Sequence, residues 1–332
     1  MKLATVIIPE LDEGTQLNDT LDSLLDTSDS SLYDIIVVSD GSKVELDLTK
    51  YGKSVLHYKK KKREGVGAAF DSGAALTDNP NLIIMGSDIR FLDNGYMDKM
   101  IDRLEEKENE KSIICTGVKG INPGNMDIHR DSKVSYGAKI LMFMKAEDLP
   151  SRGSVMNQLR TDNAVATFRN ILEAKWINKQ EEEFYEIPCV LGAFYGVRTK
   201  WYKWIRGFEG HRRWGTLEPF ISLKSWLAGG ECKIDTSSII CHIYKQEPSH
   251  KTYGHDLMYN KIALSKILFG KDADKFIKFL GSNSDIEIAK MMVGEDSFKI
   301  DNLADSFEQI RERDMNWFND KFPFKYSELI CE

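Results

Sequence analysis

Between Ala4 and Met85 the chain alternates four short apolar runs with two stretches of helical spacing. No other feature restricts the possible folds as strongly. Ala4–Ile8 is a β-branched run ending at Pro9, and Asp34–Val38, Ser54–Tyr58 and Leu82–Met85 read as further strands. Gln16–Leu25 places Leu17, Leu21, Leu24 and Leu25 at helical intervals behind Thr15 as a cap, and Gly65–Leu76 reads as a helix of small residues. Strands alternating with helices imply an α/β, doubly wound, Rossmann-like and mostly parallel sheet. Such sheets bind ligands beyond the carboxyl ends of their strands. Three polar clusters fall at such ends: Pro9–Glu13, Ser39–Ser42 and Gly86–Arg90.

Further along, Ile113–Thr116 reads as a strand, Asn163–Ile177 as a helix, Phe220–Leu227 as a helix and Ile239–Tyr244 as a strand. From His255 the pattern turns helical, over Leu257–Phe269, Asp274–Leu280, Asp285–Met292 and Leu303–Phe318. With 332 residues and 42% apolar content the chain can bury a sizeable core. Its net charge of -7 argues against a generally basic nucleic-acid protein but leaves room for local basic patches. No run approaches the roughly 20 apolar residues of a membrane span. Five scattered cysteines without a CxxC pair suit reduced, mostly buried thiols, and the expected location is cytoplasmic.

Polar clusters at strand ends are places where a divalent cation can bridge two oxygens of a phosphate-bearing ligand. Asp88, at a strand end, is a candidate ligand, although an Asp there is more often a turn cap.

Several ordered motifs bear on the choice. Thr5-Val6-Ile7-Ile8-Pro9 with Asp12-Glu13, then Ile35–Ser42 ending in Ser39-Asp40-Gly41-Ser42, then Arg63-Glu64-Gly65 with Gly73-Ala74-Ala75, lead without a gap from Arg63 to Gly86-Ser87-Asp88. Trp214-Gly215-Thr216-Leu217-Glu218, Ile221–Trp226, Gly229-Gly230 and Cys241-His242-Ile243-Tyr244-Lys245 follow, also without a gap. The set resembles the GT-A glycosyltransferases of the family 2 kind and, more closely, their polypeptide N-acetylgalactosaminyltransferase-like branch, without a lectin domain. Two departures stand out: Gly86 replaces the first carboxylate of the metal motif, and Leu217 stands where that branch has its carboxylate.

The resemblance implies a GT-A catalytic domain over residues 1–250, with a nucleotide-binding half at 1–100 and a metal and acceptor half at 186–250. Residues 251–332 are expected to form a helical extension. It implies a donor site of Pro9, Asp40, Arg63, Gly65, Ser87 and Lys245, with Asp40 against the pyrimidine base and Lys245 against the diphosphate. It makes Asp88 and His242 the ligands of Mn2+ or Mg2+, and Trp214 the catalytic floor under the donor sugar. Glu218 aligns with the catalytic base of broader inverting relatives; in retaining relatives the leaving diphosphate takes the proton and Glu218 only orients. As an alternative, Glu218 before Pro219 is an acidic helix start.

The basic run Lys59–Arg63, with Arg206, Arg212, Arg213, His250 and Lys251, is either a solvated face or a phosphate-binding rim around the acceptor cleft. Arg212, Arg213, His250 and Tyr253 are the acceptor candidates. The expected activity is metal-dependent, retaining transfer from a UDP-sugar to a hydroxyl of a large cytoplasmic acceptor, either a hydroxymethylated base in DNA or Ser/Thr of protein. Surface-polysaccharide synthesis and a non-catalytic nucleotide-binding module are the alternatives. A nucleotidyltransferase needs a Gly-rich basic loop after the first strand, which Pro9–Glu13 is not.

Overall fold

The computed structural model describes residues 2–121, 133–140, 172–244 and 251–323. Its strands, in chain order, are β1 (Ala4–Glu10), β2 (Tyr33–Ser39), β3 (Val55–Lys59), β4 (Asn81–Met85), β5 (Ile89–Arg90), β6 (Ser112–Ile121), β7 (Ala138–Ile140), β8 (Ala174–Trp176), β9 (Phe184–Glu186), β10 (Phe194–Arg198) and β11 (Glu231–Ile243). Among the described residues nine strands form one sheet in the order β3-β2-β1-β4-β10-β6-β11-β5, with β9 also beside β11, while β7 and β8 pair separately.

The first four strands run parallel, as the helix–strand alternation requires. β10 then enters antiparallel between β4 and β6, and β11 returns parallel to β6. The two-residue β5 pairs antiparallel with β11, setting Ile89 opposite His242. That short ladder carries the polar end of the first half of the chain to the second.

Helix α1 (Thr15–Thr27) buries Leu17, Leu21 and Leu24 against this sheet, and its cap is Gly14 rather than Thr15. Each leucine so buried contributes about 1.5–3 kcal/mol relative to exposure. Helix α2 (Val66–Ala75) lies unusually close to β1: a Cβ on Gly73 would stand 2.4 Å from Ile7 Cγ2. This proximity explains the small residues of that helix. Then come α3 (Tyr96–Glu105), α4 (Thr199–Trp204) and α5 (Leu217–Leu227). The C-terminal helices are α6 (Gly254–Leu268), α7 (Ala273–Leu280), α8 (Ser284–Glu295), α9 (Ser297–Ile310) and α10 (Met315–Lys321). Their apolar residues join those of the sheet in a single buried cluster from Ala4 to Phe318.

Two expectations need correction. The described part of the segment expected to be helical over Asn163–Ile177 contains strand β8, where Lys175 pairs with Lys139 of β7; residues 163–171 lie outside the described residues. The single helix expected over Leu303–Phe318 is two. Between α9 and α10 the backbone N–H groups of Glu312 and Arg313 both donate to Leu227 O, and Asp314 caps the next helix by accepting from Trp317 N. A tertiary contact with the end of α5 therefore overrides the continuous periodicity. Cys115, Cys189, Cys232 and Cys241 are free and buried, and no described helix is long and apolar enough to cross a membrane.

Candidate active site

A cleft of about 570 Å³ opens at the carboxyl ends of β1, β2 and β4. Pro9, Asp40, Arg63, Gly65, Ser87, Asp88, Arg213, Trp214, Glu218 and His242 all line it. Residues chosen from two distant parts of the sequence thus meet in one cavity. Lys245 and His250 lie outside the described residues.

The meeting depends on β5. Because Ile89 sits opposite His242, Asp88 is drawn to the edge of β11, and Ile243 N donates to Asp88 O. His242 Nε2 then lies 3.2 Å from Asp88 Oδ1. Two ligands roughly 2.1–2.2 Å from one ion and about 90° apart stand roughly 3 Å from each other, so a carboxylate and an imidazole at this spacing suit one divalent cation. Among the described residues no third His, Cys, Asp or Glu completes a cluster. Such a site leaves coordination positions for phosphate oxygens and water. Gly86 provides the space: a Cβ there would stand 2.7 Å from Asp88 Oδ1. The missing first carboxylate thus corresponds to a position that the Asp88 side chain itself crowds.

Asp40 is buried, and both its oxygens are engaged, Oδ1 by Glu64 N at 2.9 Å and Oδ2 by Gly65 N at 2.7 Å. It therefore fastens the loop carrying Arg63 while lining the cleft. Gly65 in turn pairs with Arg213 in a parallel bridge. At φ 121°, with its hypothetical Cβ 2.3 Å from Arg213 N, no other residue fits there without a shift. Next to Asp40, Glu10 is buried at the end of β1 and accepts from Ser39 Oγ at 2.7 Å and Ser42 Oγ at 3.1 Å. Ser39 Oγ also lies 2.8 Å from His57 Nε2. Because the Ser39 hydroxyl donates its hydrogen bond to Glu10, its oxygen is left to accept from the imidazole Nε2, which fixes the His57 tautomer.

Trp214 is 52% exposed, so it is a surface-presented ring rather than core packing. Its loop is held by Asn260 of α6, whose amide donates to the carbonyls of Arg212, Trp214 and Gly215 and accepts from Arg212 N. Trp176 and Tyr244, rings 5.4 Å apart, add aromatic surface, and Tyr244 packs edge-on to His242.

Glu218 stands in the first turn of α5. Protein surrounds it closely enough that desolvation raises its pKa to about 7; the Glu173 charge adds to the rise and His242 opposes it. A Cβ on Gly192 would meet Glu218 Oε1 at 2.0 Å, so a glycine is needed for the carboxylate to lie where it does.

A second cavity of about 280 Å³ shares Arg63, Arg213 and Trp214 with the cleft and extends to Lys251 and Tyr253. Arg63 donates to Lys251 O but has a buried Nε without a hydrogen-bond partner among the described residues. Burial, then the neighbouring Arg213, lowers its pKa. Arg212 is different: its Nε is 3.2 Å from Asp256. Arg206 pairs with Glu209 and lines neither cavity, while Lys59 and Lys60 pair with Glu45 and Glu64. Among the described residues of the expected rim, Arg63, Arg213 and Lys251 are the ones that line a cavity. Glu10, Glu173, Trp176 and Gly192 are cleft residues that sequence reasoning passed over, because each lies outside the matching motifs or resembles a core position.

Residues 5–168 match the family described as Glycosyl transferase family 2. The chain is 22% identical over 266 residues to Polypeptide N-acetylgalactosaminyltransferase 5 of Caenorhabditis elegans, covering 75% of this chain and 38% of that protein. It is 22% identical over 289 residues to Polypeptide N-acetylgalactosaminyltransferase 11 of Xenopus tropicalis, covering 83% and 44%. The match spans only 38% to 65% of the three curated relatives. Among solved structures, GalNAc-T7 with UDP, GalNAc and Mn2+ superposes with a TM-score of 0.71 at 16% identity, covering 97% of this chain and 56% of that one. S. aureus TarS 1-349 in complex with UDP-GlcNAc superposes with a TM-score of 0.51 at 13% identity, covering 94% and 82%. The chain has the GT-A-like fold of these neighbours, and its residues 5–168 are similar to the glycosyl transferase family 2 model.

Proposed function

We propose that the protein transfers a sugar from a UDP-sugar to a hydroxyl of a macromolecular acceptor, with Mn2+ or Mg2+ held by Asp88 and His242. The observation that carries this reading is the 3.2 Å approach of those two side chains inside the cleft of a GT-A-like fold whose first half matches glycosyl transferase family 2. When bound, the cation neutralises charge on the departing diphosphate. The chain's own residues do the rest. Pro9, Asp40 and the Gly65 loop frame the nucleoside, Ser87 lies beside the metal ligand, and Trp214 offers a ring face to the sugar. Arg63 and Arg213 supply positive charge next to the diphosphate and the acceptor. Residues 1–250 serve as the catalytic unit; helices from 251 onward support it, as Asn260 does for the Trp214 loop.

Retention is the preferred stereochemistry, with Glu218 orienting the sugar or acceptor. One observation favours a second reading, inversion with Glu218 as base: a carboxylate with a pKa of about 7 is matched to proton abstraction near neutral pH. For the acceptor, the cavity at Arg213, Lys251 and Tyr253 favours a hydroxyl flanked by negative charge. A hydroxymethylated base in DNA fits that chemistry better than a polypeptide hydroxyl such as Ser or Thr, although a polypeptide is the acceptor that the relatives' names give. The test is a panel of UDP-sugars with Mn2+, scored for UDP release and repeated with hydroxymethylated DNA and with Ser/Thr peptides. Stimulation by one acceptor identifies it, and the anomer of the product, read by NMR, decides between retention and inversion. No UDP release with any sugar would refute the reading and leave a non-catalytic nucleotide-binding module.

A further inference from the structure

Lys261 is fully buried in α6, where desolvation lowers its pKa, and its Nζ lies 3.2 Å from Glu173 Oε1. Thr216 donates to the same oxygen at 2.9 Å. Thr216 is the residue before α5, in left-handed backbone at φ 61°, and its hydroxyl makes no cap to its own helix. That hydroxyl, two positions before Glu218, is turned instead toward Glu173. The result is a carboxylate tied from two sides through one oxygen. Oε2 has no partner among the described residues, and the side chain, 27% exposed, lines the cleft beside Gly192, Trp214 and Glu218. A purely structural counter-ion for Lys261 has no need to present its second oxygen to a ligand cavity.

We propose that Glu173 is a specificity-determining residue whose free oxygen accepts hydroxyl groups of the donor sugar, with Lys261 as its positioning residue. This inference rests on the sugar-transfer reading and narrows its substrate class. Leu217 brings no acid to the cleft, and Glu173, bonded to the adjacent Thr216, supplies one from elsewhere in the chain. With Glu173 and Glu218 both facing the sugar end, the site selects neutral hexoses or N-acetylhexosamines, whose hydroxyls donate to carboxylates. It rejects uronic acids, whose own carboxylate would face two acids in a partly desolvated cleft. The C-terminal helices thereby enter donor selection through one buried ammonium.

The experiment measures binding of UDP and of a set of UDP-sugars, UDP-glucuronate included, in the presence of Mn2+, together with KM and kcat for the preferred donor. Glu173→Gln is compared with the double variant Glu173→Gln/Lys261→Met, because the single change leaves a buried ammonium without its carboxylate and can cost the fold. The expected result is wild-type affinity for UDP, a rise of roughly tenfold or more in KM for the neutral donor and weakened discrimination against UDP-glucuronate, as follows from losing a hydrogen bond to a charged group. Lys261→Arg, which keeps the charge, is expected to retain the donor preference. Unchanged KM and unchanged preference in the folded double variant, with UDP binding intact, overturn this inference alone. Failure of the wild-type protein to bind UDP at all overturns the transfer reading and this inference with it.

Discussion

His242 Nε2 approaches Asp88 Oδ1 to 3.2 Å because a two-residue strand, β5, pairs with the end of β11. Neither side chain has a local reason to be there. The ladder delivers both. Asp88→Ala and His242→Ala are each expected to lower metal-dependent turnover by about a hundredfold or more, since a direct ligand contributes at least as much as the outer-shell partners whose loss costs 10–100-fold. Thermal melting should change little, because both groups are partly exposed. A Mn2+ titration of UDP binding, repeated with a chelator, checks the assignment.

Glu218 gives a pH dependence with a defined sign. Its folded-state pKa of about 7 lies above the unfolded value of 4.5. Protonated Glu218 therefore favours the native state fully below pH 4.5, and that contribution is lost as pH rises through about 7. In metal-free protein this component of stability should fall between those pH values and be absent in Glu218→Gln, as melting curves would reveal. If Glu218 is the base, turnover rises over the same interval, and a bound cation moves the limb to lower pH. A Glu218→Gln variant with a near-normal rate removes it from that role.

Two glycines separate stability from activity. Gly65→Ala places a Cβ 2.3 Å from Arg213 N at φ 121° and should cost about 2 kcal/mol or more, read as a lower Tm. Gly192→Ala meets only the mobile end of Glu218. The carboxylate can swing away, so turnover should drop while Tm stays within a few degrees.

Arg213 lines both cavities and meets no carboxylate among the described residues within salt-bridge range. Arg213→Ala is expected to raise KM for a phosphate-bearing acceptor about tenfold and to flatten its salt dependence, with a smaller effect on KM for the donor. Equal losses for charged and uncharged acceptors would deny the cavity a phosphate role.

How much of this was legible beforehand varies by element. β1, β2 and β4 emerge within two residues of their expected ends, since strands buried on both faces write their apolar runs directly into the chain. Asp88 and His242 were legible only through motif register; each alone is a common strand-end residue. Glu173 carried no signal at all. Its place in the cleft comes from Lys261 in α6 and Thr216 at the cap of α5, partners that no local pattern links to it. The helix expected over Leu303–Phe318 failed for a related reason: its apolar spacing is continuous, but Leu227 O captures two backbone amides at the break.

The order of residues alone determined the alternating layers, and with them the strand ends at which the polar clusters gather, because helix and strand periods are properties of near neighbours. Which carboxylate would face which imidazole, and which acid would enter the cleft from outside every motif, was decided only in three dimensions. There a buried charge or an unpaired strand edge settles against whatever partner the completed core brings within reach.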